Sequence, residues 1–146
     1  MIRQNMRPRI LTSLLSVTLY IASLFCGVFV LAGGHSDFII GFVCALFGFE
    51  KFAWYANPLL FASHVTLLKK CDKLTVLISG SALVVAGTTL LITEMPKDEA
   101  GNMETVIGYQ SGFYLWLASI AVIFVAAIWN TVVNKSAHST SLNADY

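Results

Sequence analysis

Charge is scarce in this chain: nine Lys and Arg and eight Asp and Glu among 146 residues, 12% in all, against 57% hydrophobic residues. That balance leaves too little polar surface to solvate a globular domain of this length. Cysteine is equally sparse. Cys26, Cys44 and Cys71 stand far apart, so there is no CxxC redox pair and no cysteine-based metal cluster, and the spacing predicts no intramolecular disulfide. The sequence also lacks a Ser/His/Asp constellation and a phosphate-binding glycine loop. These absences lean against an enzyme and give no reason to expect a cofactor or a metal.

What the chain does have is long apolar runs. Residues 10–32, 74–93 and 112–133 carry no charge, and each is at least 20 residues long, enough to cross a bilayer as a helix. The basic residues orient them. Arg3, Arg7 and Arg9, then Lys69, Lys70 and Lys73, then Lys135 fall on one side, which the positive-inside rule assigns to the cytoplasm. Lys51 and Lys97 lie on the other side with Asp37, Glu50, Glu94, Asp98, Glu99 and Glu104. Both termini then face the cytoplasm, and a fourth crossing is needed between residues 32 and 69. The run at 10–32 is too long for the core of a secretory signal and no A-x-A site follows it, so it reads as an uncleaved first helix.

Residues 38–68 are too long for one ordinary span, and as a single helix they place Glu50 and Lys51 near the middle of the bilayer. A break near Glu50 avoids this. Residues 38–49 are then a short outer helix, interfacial or re-entrant, and the second crossing covers about residues 50–68, with a kink at Asn57-Pro58. The expected fold is therefore an all-α, four-helix transmembrane domain over residues 1–135. Its spans are about 10–32, 50–68, 74–93 and 110–133, and the tail at 136–146 is disordered.

Helical spacing puts Glu50, Trp54, Asn57, Phe61 and His64 on one face of the second crossing, beside Pro58. Intramembrane polar groups near a helix break suit a pathway or a ligand site. Equally, His64 bonds a neighbouring Ser or Thr and Glu50 pairs with Lys51 or sits in water. The third run carries Thr75, Ser79, Ala82, Ala86, Thr89 and Thr93 on one face. The first carries Thr12, Ser16, Ser23 and Gly27, and the last Gly112, Leu115, Ser119, Val122 and Ala126. Small faces of this kind pack helices closely. Residues 94–108 hold four carboxylates, Pro96 and two glycines, but lack calcium-loop spacing, and they read as a solvated loop of turns.

The motifs W-Y-A-N-P-L at 54–59, K-D-E-A-G-N at 97–102 and G-F-Y-L-W-L-A-S at 112–119 resemble those of a group of small, uncharacterised four-span bacterial inner-membrane proteins. The resemblance spans roughly residues 10–130 and implies topology and compartment, not a substrate or a catalytic residue. Small multidrug exporters carry a membrane-embedded Glu in the first span and quinone-linked disulfide-forming enzymes carry Cys pairs; this chain has neither. The leading expectation is a non-catalytic multi-pass inner-membrane protein that binds a partner as an accessory subunit, assembly factor or immunity-type protein. The alternative is a small oligomeric transporter or channel using the Glu50, Asn57, His64 stripe. Expected partners are the lipid bilayer, a membrane or periplasmic protein and further copies of the chain, with no nucleic acid.

Overall fold

A computed structural model describes residues 6–33, 41–96 and 101–143, with side chains through residue 134. The chain is mostly helical. Helices α1 (Met6–Leu24), α2 (Gly41–Phe47), α3 (Ala56–Leu68), α4 (Asp72–Gly87) and α5 (Ser111–Asn143) are joined by three short 3₁₀ turns and three strands, β1 (Phe29–Leu31), β2 (Glu94–Pro96) and β3 (Met103–Tyr109). Two helices, Asp72–Leu91 and Ser111–Asn134, are long and apolar enough to cross a membrane.

Helices α1, α3, α4 and α5 pack side by side, with α1 antiparallel to α3 and α4 antiparallel to α5: Arg9 near the start of α1 meets Leu67 at the end of α3, and Asp72 at the start of α4 meets Asn134 far along α5. Their shared core is Ala56, Leu60 and Leu67 of α3, Ala82 and Ala86 of α4, and Ile120 and Ile123 of α5. The α3–α4 connection is only three residues long. Lys70 takes a left-handed conformation (φ 62°), and the amides of Lys70 and Cys71 return to the carbonyls of Leu67 and Thr66 at 3.1 and 3.0 Å. These bonds use carbonyls that the end of α3 otherwise leaves unpaired.

One end of this helical body is closed by a buried ion pair. The Arg9 guanidinium donates to both carboxylate oxygens of Asp72, at 2.5 and 2.9 Å, and to the carbonyl of Leu67 at 3.0 Å. The Asn134 amide donates to the same carboxylate at 2.9 Å. Asp72 stands in the first turn of α4, where the helix dipole favours a negative charge. The cluster thus ties together one end of α1, α3, α4 and α5, and both charges are satisfied where water is nearly absent.

The opposite end corrects the all-α expectation, because it carries a three-stranded antiparallel sheet of order β1-β3-β2. Strand β1 comes from the first apolar run. That run reads as one span over residues 10–32, but α1 ends at Leu24 and the chain turns through Phe25–Gly27. Hydropathy cannot separate a buried helix from a buried strand, and Val28–Phe29–Val30 is β-branched and aromatic, which favours pairing. Strands β2 and β3 arise from residues expected to form only turns. Along β3 exposure alternates, with Met103, Thr105 and Ile107 turned outward and Glu104, Val106 and Gly108 inward.

Two glycines lock this end together. A Cβ at Gly41 would strike the carbonyl of Ser23, and one at Gly112 would strike the carbonyls of Cys26 and Gly27. Instead their amides donate to Cys26 and Gly27 at 2.9 Å each, so α2 and α5 both begin against the turn that ends α1. An aromatic row made of Phe29, Tyr109, Phe113 and Trp116 continues from the sheet into α5, with successive centroids 5.8, 4.7 and 6.4 Å apart.

The short outer helix expected at 38–49 corresponds to α2 and the 3₁₀ turn Gly48–Glu50; Phe38, Ile39 and Ile40 lie outside the described residues. The segment expected as a second crossing is not a continuous helix from Glu50 with a kink at Pro58. The break falls at Lys51, which is extended (φ −94°, ψ 130°), and a 3₁₀ turn at Phe52–Tyr55 leads into α3. Pro58 sits in the first turn of α3, where its missing amide interrupts no helical bond. At the far end α5 runs on to Asn143, through most of the tail expected to be disordered, since no Gly or Pro interrupts it. Arg3, Asp37, Lys97, Asp98 and Glu99 lie outside the described residues, as does Lys135 for its side chain.

Candidate functional site

Where the sheet and α2 meet the helical body, the chain forms a half-open cavity of about 300 Å³. Its walls come from the end of α1 (Tyr20, Ser23, Leu24), from β1 (Phe29), from α2 (Val43, Cys44, Phe47), from Trp54, and from the start of α5 (Phe113, Trp116). Thr89, Ile92 and Met95 complete it from the end of α4 and β2, and Glu50 and Lys51 stand at its rim. The sequence explains this hollow. Gly41 and Gly112 bring α2 and α5 against the turn after α1, while the break at Lys51 carries the chain around the cavity rather than through it.

Polar groups in the walls are few. The Trp116 indole donates to the Asn57 side-chain oxygen at 2.9 Å, and the Trp54 indole donates to the Ala45 carbonyl at 2.7 Å, which holds α2 to the 3₁₀ turn. Tyr109 donates to the carbonyl of Thr89 at 3.3 Å. The Thr89 hydroxyl, only 3% exposed as a residue, has no partner among the described residues. Burial in the apolar wall pushes the Cys44 thiol up to about 11, because the thiolate is poorly solvated there. Cys26, Cys44 and Cys71 are all free thiols. Among the described residues no three His, Cys, Asp or Glu side chains converge as a metal site requires.

The structure divides the expected polar stripe. Glu50 is exposed and lies before the break, Trp54 lies in the 3₁₀ turn, and Phe61 is half-exposed against Tyr20, edge to face at 5.5 Å. Glu50, Trp54 and Asn57 line the cavity, whereas His64 does not and Pro58 is exposed on α3. The stripe assumed one continuous helix; the extended residue at Lys51 sets Glu50 apart from α3, and within α3 Asn57 lies at the cavity end while His64 lies about two turns further along. His64, on α3, is buried against α1. Ser13 Oγ lies 2.9 Å from its Nδ1 and Ser16 Oγ 3.4 Å from its Nε2, while the Ser16 hydroxyl donates to the Ser119 carbonyl at 2.7 Å. With its proton used there, Ser16 accepts from Nε2–H and Ser13 donates to Nδ1, which matches the neutral Nε2–H tautomer.

Thr75, Ser79, Ala82 and Ala86 on α4, and Thr89 in the 3₁₀ turn Thr88–Leu91 that follows it, are all buried. Their hydroxyls mostly stay within the helix pair: Thr75 donates to Thr66 Oγ1 at 3.0 Å and Ser79 to the Thr75 carbonyl at 2.6 Å. Sequence reasoning missed the Arg9–Asp72–Asn134 cluster, treating Arg9 only as a flanking charge. The available signal was an acidic residue alone among Lys69, Lys70 and Lys73 at a helix start. Comparison of the chain with family models, curated proteins and solved structures gives no match.

Proposed function

We propose that this is a non-catalytic multi-pass protein of the bacterial inner membrane. In this reading it crosses four times, through α1, α3 with its preceding 3₁₀ turn, α4 and α5, has both termini in the cytoplasm, and binds a protein partner through its outer cap. The observation that carries the partner reading is the outer face of β3. Ile107 is 64% exposed there beside exposed Thr105, and Met103, which also borders the cavity, is 53% exposed, so in this reading the strand offers an apolar contact to a partner beyond the lipid. The membrane reading is supported by the helix surfaces. Only 28% and 33% of the two membrane-length windows are buried inside the fold, and Leu77, Val84, Val125 and Trp129 face outward. The core helix of a water-solvated domain is mostly enclosed instead. The polar side chains between the helices bond one another, as His64 with Ser13 and Asn57 with Trp116, which suits packing better than an aqueous path.

Two experiments test this. The full chain, isolated from native membranes in mild detergent, should retain a stoichiometric protein partner that Thr105→Asp and Ile107→Asp release without lowering membrane abundance. Retention by both variants, or recovery of the chain alone, overturns the partner reading. For topology, an impermeant maleimide added to intact cells should label Asn102→Cys but not the native Cys71, which becomes reactive after lysis. The reverse pattern overturns the proposed orientation.

A further inference from the structure

We propose that the cavity under the cap is a binding site for the apolar chain of a membrane lipid; this rests on the membrane reading above. Protein interiors are close-packed, so a half-open hollow of about 300 Å³ with mostly apolar walls leaves apolar surface for an occupant to cover, and its size falls at the lower end of ligand pockets. Water is a poor candidate, because the walls are chiefly Tyr20, Leu24, Phe29, Phe47, Phe113 and Trp116, and apolar hollows of this kind stay dry. A second observation points to a ligand with one polar feature. Thr89 borders the cavity and its buried hydroxyl has no partner among the described residues, so a rotation of that hydroxyl toward the cavity would pair it with a hydroxyl, ester or carbonyl carried on an otherwise apolar chain.

The position of α2 identifies the bilayer as the source. Val43, Cys44 and Phe47 border the cavity, Phe47 being itself 69% exposed, while Phe42, Leu46 and Phe49, in α2 and the following turn, are at least half exposed on the outside. A segment apolar on both sides, at the boundary between cap and helices, is a thin wall between the cavity and lipid tails. Glu50 and Lys51 at the rim place opposite charges where the polar end of such a lipid emerges.

The test uses the full chain in vesicles of phosphatidylethanolamine and phosphatidylglycerol doped with either of two probes: a phosphatidylethanolamine bearing a mid-chain diazirine, or a polyprenol bearing the same group. After photolysis, peptide mass spectrometry maps the crosslinks. Labels on Cys44, Met95 and Phe113 support the site, and the probe that gives them distinguishes an acyl from an isoprenoid chain. Cys44→Phe, which puts a ring in the space, lowers those labels on the order of tenfold and leaves Leu77 and Val125 labelled as before. Labels confined to Leu77, Val84, Val125 and Trp129 overturn the lipid site while leaving membrane insertion standing. Labels on neither set overturn both. The wild-type map decides the matter even where the variant does not accumulate.

Discussion

The two ends of the helical body solve the same problem in opposite ways. At one end α1, α3, α4 and α5 converge on Arg9, Asp72 and Asn134, a polar cluster with its charges matched. At the other end the same helices meet a sheet and a short helix, held by backbone bonds at Gly41 and Gly112, and a hollow remains between them. A buried ion pair tolerates no vacancy, because a lost partner leaves a charge without solvent; an apolar wall tolerates one, because its unpaired surface needs only another apolar group. Rigidity belongs to the first end and capacity to the second.

The strongest way to break this contrast is at the ion pair. Arg9→Ala strands Asp72 and should destabilise the protein by about 3–5 kcal/mol, read as thermal unfolding in detergent. Arg9→Met with Asp72→Leu should recover much of that loss, and a double substitution no better than the single one removes the cluster from its proposed role. Next comes the glycine lock. Gly112→Ala meets backbone rather than a flexible side chain and should lower stability by roughly 1–3 kcal/mol, while Gly87→Ala, with nothing within 4 Å, should be neutral or raise it slightly. A weaker effect is expected at the floor of the cavity: Trp116→Phe removes the bond to Asn57 and should cost about 0.6–1.7 kcal/mol.

The smallest effect distinguishes the two ends by pH. Cys44 has its folded-state pKa raised from 9.0 to about 11, so its contribution is fully present below pH 9 and is lost as pH rises toward 11. At pH 8 a maleimide should modify exposed Cys71 well before Cys44, in detergent where both sides are accessible. Equal rates mean that the cavity is open to solvent.

Much of the helical part was legible in the sequence. Uncharged runs of membrane length mark α4 and α5, and the cost of burying Glu50 and Lys51 points to the break that the structure places at Lys51. Spacing puts Thr75, Ser79, Ala82, Ala86 and Thr89 on one side of α4 and the turn that follows it, and their burial follows from small side chains admitting a close neighbour. The sheet was not legible in this way, since Phe29–Leu31 is as apolar as the helix before it and finds its partner some eighty residues later, in β3. Neither were the Arg9–Asp72 pair, the separation of His64 from Glu50, or the cavity. Local composition by itself determines where a segment prefers apolar surroundings and where a helix must break. Pairings between residues distant in the chain, and the hollow left between elements that meet at glycines, exist only once the chain has closed on itself, and those the tertiary structure alone decided.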